Sequence, residues 1–95
     1  MSNPDFFTFE RDLINRLEIL AKSRDSGDSF SKNAESQYCQ GLIYGALLGG
    51  LITTDEFQKA CELTLDVTYP DTPHPISPSQ IRGFIAAIFE TRKND

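Results

Sequence analysis

Apolar residues recur at three- and four-residue spacing in four stretches of this chain, which is the period of an α-helix with one buried face. The chain is 95 residues long, enough for one domain with a single hydrophobic core. The pattern therefore predicts an all-α fold, a compact four-helix domain formed by the whole chain. The predicted helices span residues 4–23, 32–48, 54–66 and 78–91.

The first predicted helix has a regular apolar stripe, with Asn3 as its expected N-cap. Its buried face is predicted to contain Phe6, Phe9, Leu13, Leu17 and Leu20, with Phe7, Ile14 and Ala21 beside it. Phe6, Phe7 and Phe9 together are more aromatic surface than one face of a first turn can bury. We therefore expect one or two of them to be exposed or covered by a partner.

The third helix has the strongest start signal of the four. Thr53 and Glu56 have the spacing of a capping box, in which each side chain accepts a hydrogen bond from the other residue's backbone N–H. Ile52 and Phe57 occupy the two positions of a hydrophobic staple. The predicted inward face comprises Phe57, Ala60, Cys61, Thr64 and Leu65. At the start of the last helix, Ser77, Pro78 and Gln80 repeat the capping pattern.

Two segments between the helices are predicted to be irregular. Residues 24–31 are rich in serine, aspartate and glycine, so this segment is expected to be a mobile loop. Residues 67–77 contain three prolines between Tyr69 and Ile76, which exclude a continuous helix and favour an extended crossover. The Tyr69–Pro70 bond is a candidate cis peptide bond, because proline lowers the preference for trans.

The second helix is apolar on nearly all sides from Leu42 to Leu48, which predicts that it is the central, most buried helix. Gly49 and Gly50 supply the residues for a left-handed helix end. Because the connection to the third helix is short, these two helices are predicted to form an antiparallel hairpin at the centre of the domain.

Gly41 and Gly45 lie on one face of the second helix, although each interior glycine costs about 1 kcal/mol relative to alanine. In the predicted hairpin they fall opposite Phe57, Ala60 and Cys61. Close packing of the two helices within the chain is therefore the favoured interpretation. The alternative is that the glycines form a seam between two copies of the chain.

The charge balance narrows the classes of partner. Lys and Arg number 9 against 14 Asp and Glu, which gives a net charge of −5. This balance would repel a phosphate backbone, so nucleic-acid binding is disfavoured. The N-terminus has no secretory signal pattern, and the longest apolar stretch is shorter than the ~20 residues of a membrane-spanning helix. We therefore expect a cytoplasmic protein with no membrane partner.

No constellation of reactive side chains is apparent, so we expect no catalytic, cofactor-binding or metal-binding residues. His74 is the sole histidine and lies between two prolines, whereas a metal site or a Ser/Cys–His pair would need more such residues. Cys39 and Cys61 are expected to be reduced, buried thiols, with a disulfide between them as the alternative. The sequence therefore predicts a protein that is not an enzyme and has no small-molecule substrate.

Candidate partner-binding residues lie in two places. One is the group of N-terminal phenylalanines, and the other is the acidic, proline-rich crossover with the helix end that precedes it. The candidates are Phe6, Phe7 and Phe9 in the first place, and Asp66, Tyr69, Asp71 and His74 in the second.

A fold with strong helix signals, an acidic surface and no reactive cluster predicts a small interaction module that binds another protein as an inhibitor or adaptor. Small accessory proteins of phages and mobile elements, including inhibitors of nucleases and defence complexes, are of this type. One alternative is a homodimeric structural or regulatory protein. A second is a helix-turn-helix regulator of transcription, which the acidic third helix disfavours because a recognition helix is basic.

Overall fold

The computed structural model describes residues 4–90, with side chains from residue 5 onward, and confirms the predicted all-α, four-helix domain. Within this range there are four α-helices and no strand. The helices are α1 (Pro4–Asp25), α2 (Ser29–Leu48), α3 (Thr54–Thr68) and α4 (Ile81–Ile88), and a 3₁₀ turn at Pro78–Gln80 leads directly into α4. The predicted cap at Asn3 and the predicted helix end at residue 91 lie outside the described residues.

The central helix is α1, because it contacts the other three helices and the 3₁₀ turn, whereas α2 contacts only α1 and α3 among the described elements. The prediction that α2 is the most buried helix is therefore wrong. An apolar helix is fully buried only where neighbours cover every side, and one side of α2 has no neighbour among the described residues. The buried positions of α1 are Phe6, Phe9, Leu13, Ile14, Leu17, Leu20 and Ala21.

Only three residues connect α1 to α2, so the predicted mobile loop over 24–31 is wrong. Gly27, which is left-handed at φ 78°, and Asp28 donate their N–H groups to carbonyls in the last turn of α1, both at 3.1 Å, and so form a Schellman motif. Asp28 also caps α2, because its carboxylate accepts the backbone N–H of Ser31 at 3.0 Å. One residue thus ends one helix and starts the next.

The connection between α2 and α3 confirms the predicted start and stop signals. Gly50 is left-handed at φ 76°, and it and Leu51 donate to carbonyls in the last turn of α2 in a second Schellman motif. The predicted capping box is present: the Thr53 N–H donates to Glu56 Oε1 at 2.8 Å, and the Glu56 N–H donates to Thr53 Oγ1 at 3.1 Å. These two ends make α2 and α3 an antiparallel hairpin.

α3 is two residues longer than predicted, since Val67 and Thr68 are helical rather than extended. The Thr68 hydroxyl donates to the Thr64 carbonyl at 2.7 Å. Arg24 of α1 donates to the Val67 carbonyl at 3.0 Å, and the arginine side chain is only 9% exposed. The Arg24 bond supplies a partner to a carbonyl in the last turn of α3, where an α-helix leaves its final carbonyls without intrahelical partners.

The crossover from Tyr69 to Ser77 returns the chain to α1. The Tyr69–Pro70 bond is trans. At the end of the crossover, the Ser77 N–H donates to Gln80 Oε1 at 2.9 Å, which is one half of the predicted capping pattern. The turn that follows directs Ile81, Ile85 and Phe89 into the core, where all three are fully buried.

Candidate functional site

α2 carries two stripes of side chains on opposite sides of the helix. The inward stripe is buried against α1 and α3 and consists of Ser36, Cys39, Ile43 and Ala46. The second, which we call the outward stripe, consists of Phe30, Ala34, Gln37, Gly41, Tyr44 and Leu48, all of them exposed. Its positions alternate in steps of four and three, so the six residues fall within an arc of about 80°. This is the heptad spacing of a helix that packs on another helix.

The outward stripe exposes large apolar side chains at both ends and little side chain in its middle. Phe30 is 85% exposed, Leu48 is 70% exposed and Tyr44 is 54% exposed. Between them, a Cβ added at Gly41 would meet no atom within 4 Å. The stripe is therefore open to a partner along its whole length.

The predicted close packing of Gly41 and Gly45 against α3 is wrong. Both glycines are exposed, and a Cβ added at either would have open space around it. The physical reason is the rotation of α2: its contacts with α1 and α3 are made by the inward stripe, so the glycines are turned towards solvent. The alternative interpretation, a seam between copies, is the one that this placement leaves open.

A shallow apolar groove lies between the outward stripe and α3. Its volume is about 290 Å³, and Gln40, Tyr44, Phe57, Cys61 and Leu65 line it. The rings of Tyr44 and Phe57 lie 6.3 Å apart, centroid to centroid. The groove widens the apolar surface beyond α2 alone.

One of the residues predicted to face inward on α3 lies on the surface beside this groove instead: Leu65 is 49% exposed, while Leu63 and Val67 are buried. Of the residues predicted to pack opposite the glycines, Ala60 is fully buried, and Phe57 and Cys61 are partly buried against the core at the edge of the groove. The inward face of α3 is thus rotated relative to the prediction.

On its other side, α2 is bordered by charged residues of α1. The Arg16 guanidinium lies over the Tyr38 ring, 4.3 Å from its centroid, and its Nη1 is 3.5 Å from Glu35 Oε1. A second groove, of about 350 Å³, is lined by Asp12, Asn15, Arg16, Ile19 and Tyr38. The uncharged surface therefore extends towards α3 and ends at α1.

The outward stripe is free of charge in a chain that is strongly acidic. No residue from 36 to 54 carries a charge, although the net charge of the chain is −5. The helix positions that flank the stripe on either side are uncharged as well: Ser31, Asn33, Tyr38, Gln40, Gly45 and Leu47. Any partner on this surface must therefore be recognised by shape and apolar contact rather than by charge.

The N-terminal phenylalanines are separated by the structure into buried and exposed residues. Phe6 and Phe9 are buried, and their rings meet that of Phe89 at centroid distances of 5.1 and 6.1 Å. They are core residues, so their assignment as partner-binding residues is wrong. Phe7 is 47% exposed and lines a small groove with residues that include Arg82. The expectation that one or two of the three are exposed is thus met by Phe7 alone.

The crossover candidates are all on the surface. Asp66, Tyr69, Asp71 and His74 are exposed. Tyr69 is drawn towards the start of α2, because Lys32 Nζ lies 5.0 Å from its ring centroid and its hydroxyl lies 3.5 Å from Asn33 Oδ1. Whether these four residues contact a partner stays a prediction.

Both cysteines are free thiols. Burial is the main reason that the pKa of Cys39 is raised to about 12; the Glu35 carboxylate raises it further and Arg16 lowers it. Burial also raises the pKa of Cys61. Since the thiolate is the reactive form, neither residue has the environment of a nucleophile.

The residues that the structure describes contain no group of three or more His, Cys, Asp and Glu side chains that could hold a metal ion. None of the helices in that range is long and apolar enough to span a membrane.

Of the outward stripe, Gly41 alone was among the predicted site residues, although the signal of the whole stripe is in the sequence. The spacing of Phe30, Ala34, Gln37, Gly41, Tyr44 and Leu48 can be recognised once α2 is known to begin at Ser29. The assignment of residues 24–31 to a loop hides it, because Phe30 is then outside the helix. The missed signal was the sequence Gly27–Asp28, in which a helix-ending glycine is followed directly by a helix-capping aspartate.

Comparisons of this chain with protein families, curated proteins and solved structures gave no match. Its functional assignment therefore rests on the geometry and charge of the molecule.

Proposed function

We propose that the protein is a protein–protein interaction module of the inhibitor or adaptor type, and that it binds through the outward stripe and the adjoining groove. The observation that carries this proposal is the outward stripe: six exposed residues in heptad spacing, uncharged in a chain of net charge −5. An exposed apolar surface rimmed by polar residues is typical of an interaction site.

The dimensions of the surface suit a helical segment of a partner. From Phe30 to Leu48 the helix rises about 27 Å, and the groove offers a channel beside it into which apolar anchors could fit. A protein of this kind acts by occupying a surface of its partner rather than by chemistry. A lipid surface is the weaker alternative, because helices that lie on membranes carry Lys and Arg around the apolar face, and the α2 positions that flank the stripe carry none.

The small size and acidity of the chain support a role of the phage or mobile-element accessory type, in which a nuclease or defence complex is inhibited. The two free thiols suit a reducing compartment, which supports a cytoplasmic location.

Capture of a partner by matched variants tests the proposal. The immobilised full chain is exposed to bacterial lysates, and the captured proteins are quantified by mass spectrometry for the wild type, Tyr44→Glu and Phe84→Glu. The two substituted rings are similarly exposed, at 54% and 45%, but Phe84 lies on α4, outside the stripe and groove. We expect a stoichiometric partner that Tyr44→Glu loses by at least tenfold and Phe84→Glu retains.

Two results would reject the proposal. One is the absence of a stoichiometric partner in every lysate. The other is a partner that Tyr44→Glu retains at wild-type level, which would show that binding takes place on another surface. Circular dichroism of each variant confirms that the helices are intact.

A further inference from the structure

We infer that the partner of the outward stripe in the isolated protein is a second copy of this chain, packed as an antiparallel helix pair through α2. The inference rests on the proposed function in one respect, that the stripe is an interaction surface. It adds the identity of the occupant, the register and the symmetry of the contact.

The first observation is that the outward stripe is complementary to itself. In an antiparallel pair with a two-fold axis at the level of Cys39, near the midpoint of α2, Phe30 of one copy faces Leu48 of the other. In the same register, Ala34 faces Tyr44 and Gln37 faces Gly41. The two most exposed apolar side chains of the stripe therefore meet at the ends, and a small residue faces a larger one in each inner layer. A two-fold interface needs this kind of self-complementarity.

In this register the two α2 helices overlap over nearly their whole length. α2 has 20 residues, and its midpoint lies within one residue of the proposed axis, so both copies overlap over about 30 Å. Antiparallel pairs align the start of one helix with the end of the other, which sets opposite ends of the two helix dipoles side by side.

The second observation is the distribution of charge. Two chains of net charge −5 repel each other, and a contact between them is favoured only where no like charges meet. The outward stripe and its flanking positions are the uncharged part of α2, so pairing brings no α2 carboxylate against another. A basic partner would gain no electrostatic attraction from this surface. A second copy avoids there the like-charge repulsion that otherwise opposes association of two acidic chains.

The exposed area is sufficient for a weak dimer. The rings of Tyr38 and Tyr44 are each about half exposed, and together they offer on the order of 150–250 Å² of surface per copy. Phe30 and Leu48 add two nearly bare side chains, and Leu65 lies at the edge of the groove. These areas approach the lower range of transient interfaces, so the dimer is expected to dissociate on dilution.

Sedimentation equilibrium of the full chain between about 1 µM and 500 µM tests the inference. The wild type is expected to approach twice its 10.7 kDa mass as concentration rises. Gly41→Gln should raise the dissociation constant at least tenfold, because a side chain there meets Gln37 of the other copy. Gly83→Gln is the matched control, since Gly83 is also an exposed helical glycine with open space at its Cβ, and it should leave dimerisation unchanged.

The register has its own readout. On one helix, Phe30 and Leu48 are about 27 Å apart, too far for a nuclear Overhauser effect. An isotope-filtered spectrum of a mixed labelled and unlabelled sample should show this contact, which can arise only between copies.

Several results would overturn the inference: a wild type that stays monomeric at 500 µM, a dimer that Gly41→Gln and Gly83→Gln affect equally, or a dimer without the Phe30–Leu48 contact. Binding of the monomer to phosphatidylcholine vesicles that Gly41→Gln abolishes would assign the stripe to lipid instead.

A monomeric wild type that still captures a protein in a Tyr44-dependent manner would reject only the second copy and leave the proposed function standing. A dimer that captures nothing would reject the proposed function and leave the second copy standing.

Discussion

Cys39 and Cys61 illustrate how much the surroundings of one residue decide its chemistry. The sequence predicts that both are reduced and buried, and they are free thiols, but only Cys39 is fully buried. Cys61 borders the groove because α3 is rotated relative to the prediction. The composition shows that two thiols are present. Which of them is buried depends on how α3 is rotated, and that rotation is set by the neighbouring helices.

The two thiols should therefore differ in their rate of reaction with DTNB. At pH 8 we expect one thiol per chain, Cys61, to react well before the other, because Cys39 becomes accessible only when the protein opens. Raising the pH to 10 should leave Cys61 the faster of the two, because Cys39 still reacts only after the fold opens. Cys61→Ser should remove the fast phase; its persistence in that variant would contradict the assignment.

The raised pKa of Cys39 has a consequence for stability. The pKa of Cys39 is higher in the folded protein, at about 12, than the ~8.5 of an unfolded thiol. Its contribution to stability is therefore complete below pH ~8.5 and declines as the pH rises towards the folded value.

At the level of the helices, the sequence correctly predicted where a helix begins or ends if the boundary residue has a single structural role. The capping box at Thr53 and Glu56 and the left-handed turn at Gly50 are both present as predicted. The prediction failed between α1 and α2, where Asp28 has two roles in a three-residue connection. A polar, glycine-containing segment is read as a loop from its composition, although here nearly every residue belongs to a helix or its cap.

Gly27 ends a helix, whereas Gly83 lies inside one, so substitution of each by alanine should change stability in opposite directions. Gly27→Ala forces an L side chain into a left-handed conformation at φ 78°, and should lower the free energy of unfolding by about 1–2 kcal/mol. Gly83→Ala, in α4 with open space at its Cβ, should raise it by about 0.5–1 kcal/mol.

Urea denaturation followed by circular dichroism measures both variants. The difference in sign between them is the test, since a general effect of added bulk would move both in the same direction. Equal stability of Gly27→Ala and the wild type would mean that the α1–α2 connection relaxes without cost, contrary to the geometry of its Schellman motif.

At the scale of the whole molecule, the apolar pattern of the sequence predicted how many helices form but not which of their faces remain uncovered. α2 is apolar on both sides, and only the arrangement of α1 and α3 decides that the inward stripe is covered while the outward stripe is not. The fold could therefore be predicted from the sequence, whereas the candidate surface could be found only after the helices were placed. The uncovered face is a property of the assembly of helices rather than of any one of them.

α4 should unfold together with the rest of the domain. With eight residues it is too short to persist as an isolated helix, and the fully buried Phe89 at its C-terminal cap packs on Phe6 and Phe9 of α1. Removing that ring exposes the end of the central helix as well as α4. Phe89→Ala should therefore lower the free energy of unfolding by about 3–5 kcal/mol, a large part of what a domain of this size has.

The matched control is Phe84→Ala, because Phe84 lies in α4, shortly before Phe89, but is 45% exposed, so its loss should cost well under half as much. Hydrogen exchange of the backbone amides separates cooperative from local unfolding. In Phe89→Ala, protection should fall together in α4 and in the core turns of α1 around Leu13 and Leu17, since both depend on the same buried cluster. Loss of protection in α4 alone would instead make the last helix an independent unit that closes over a core already stable without it.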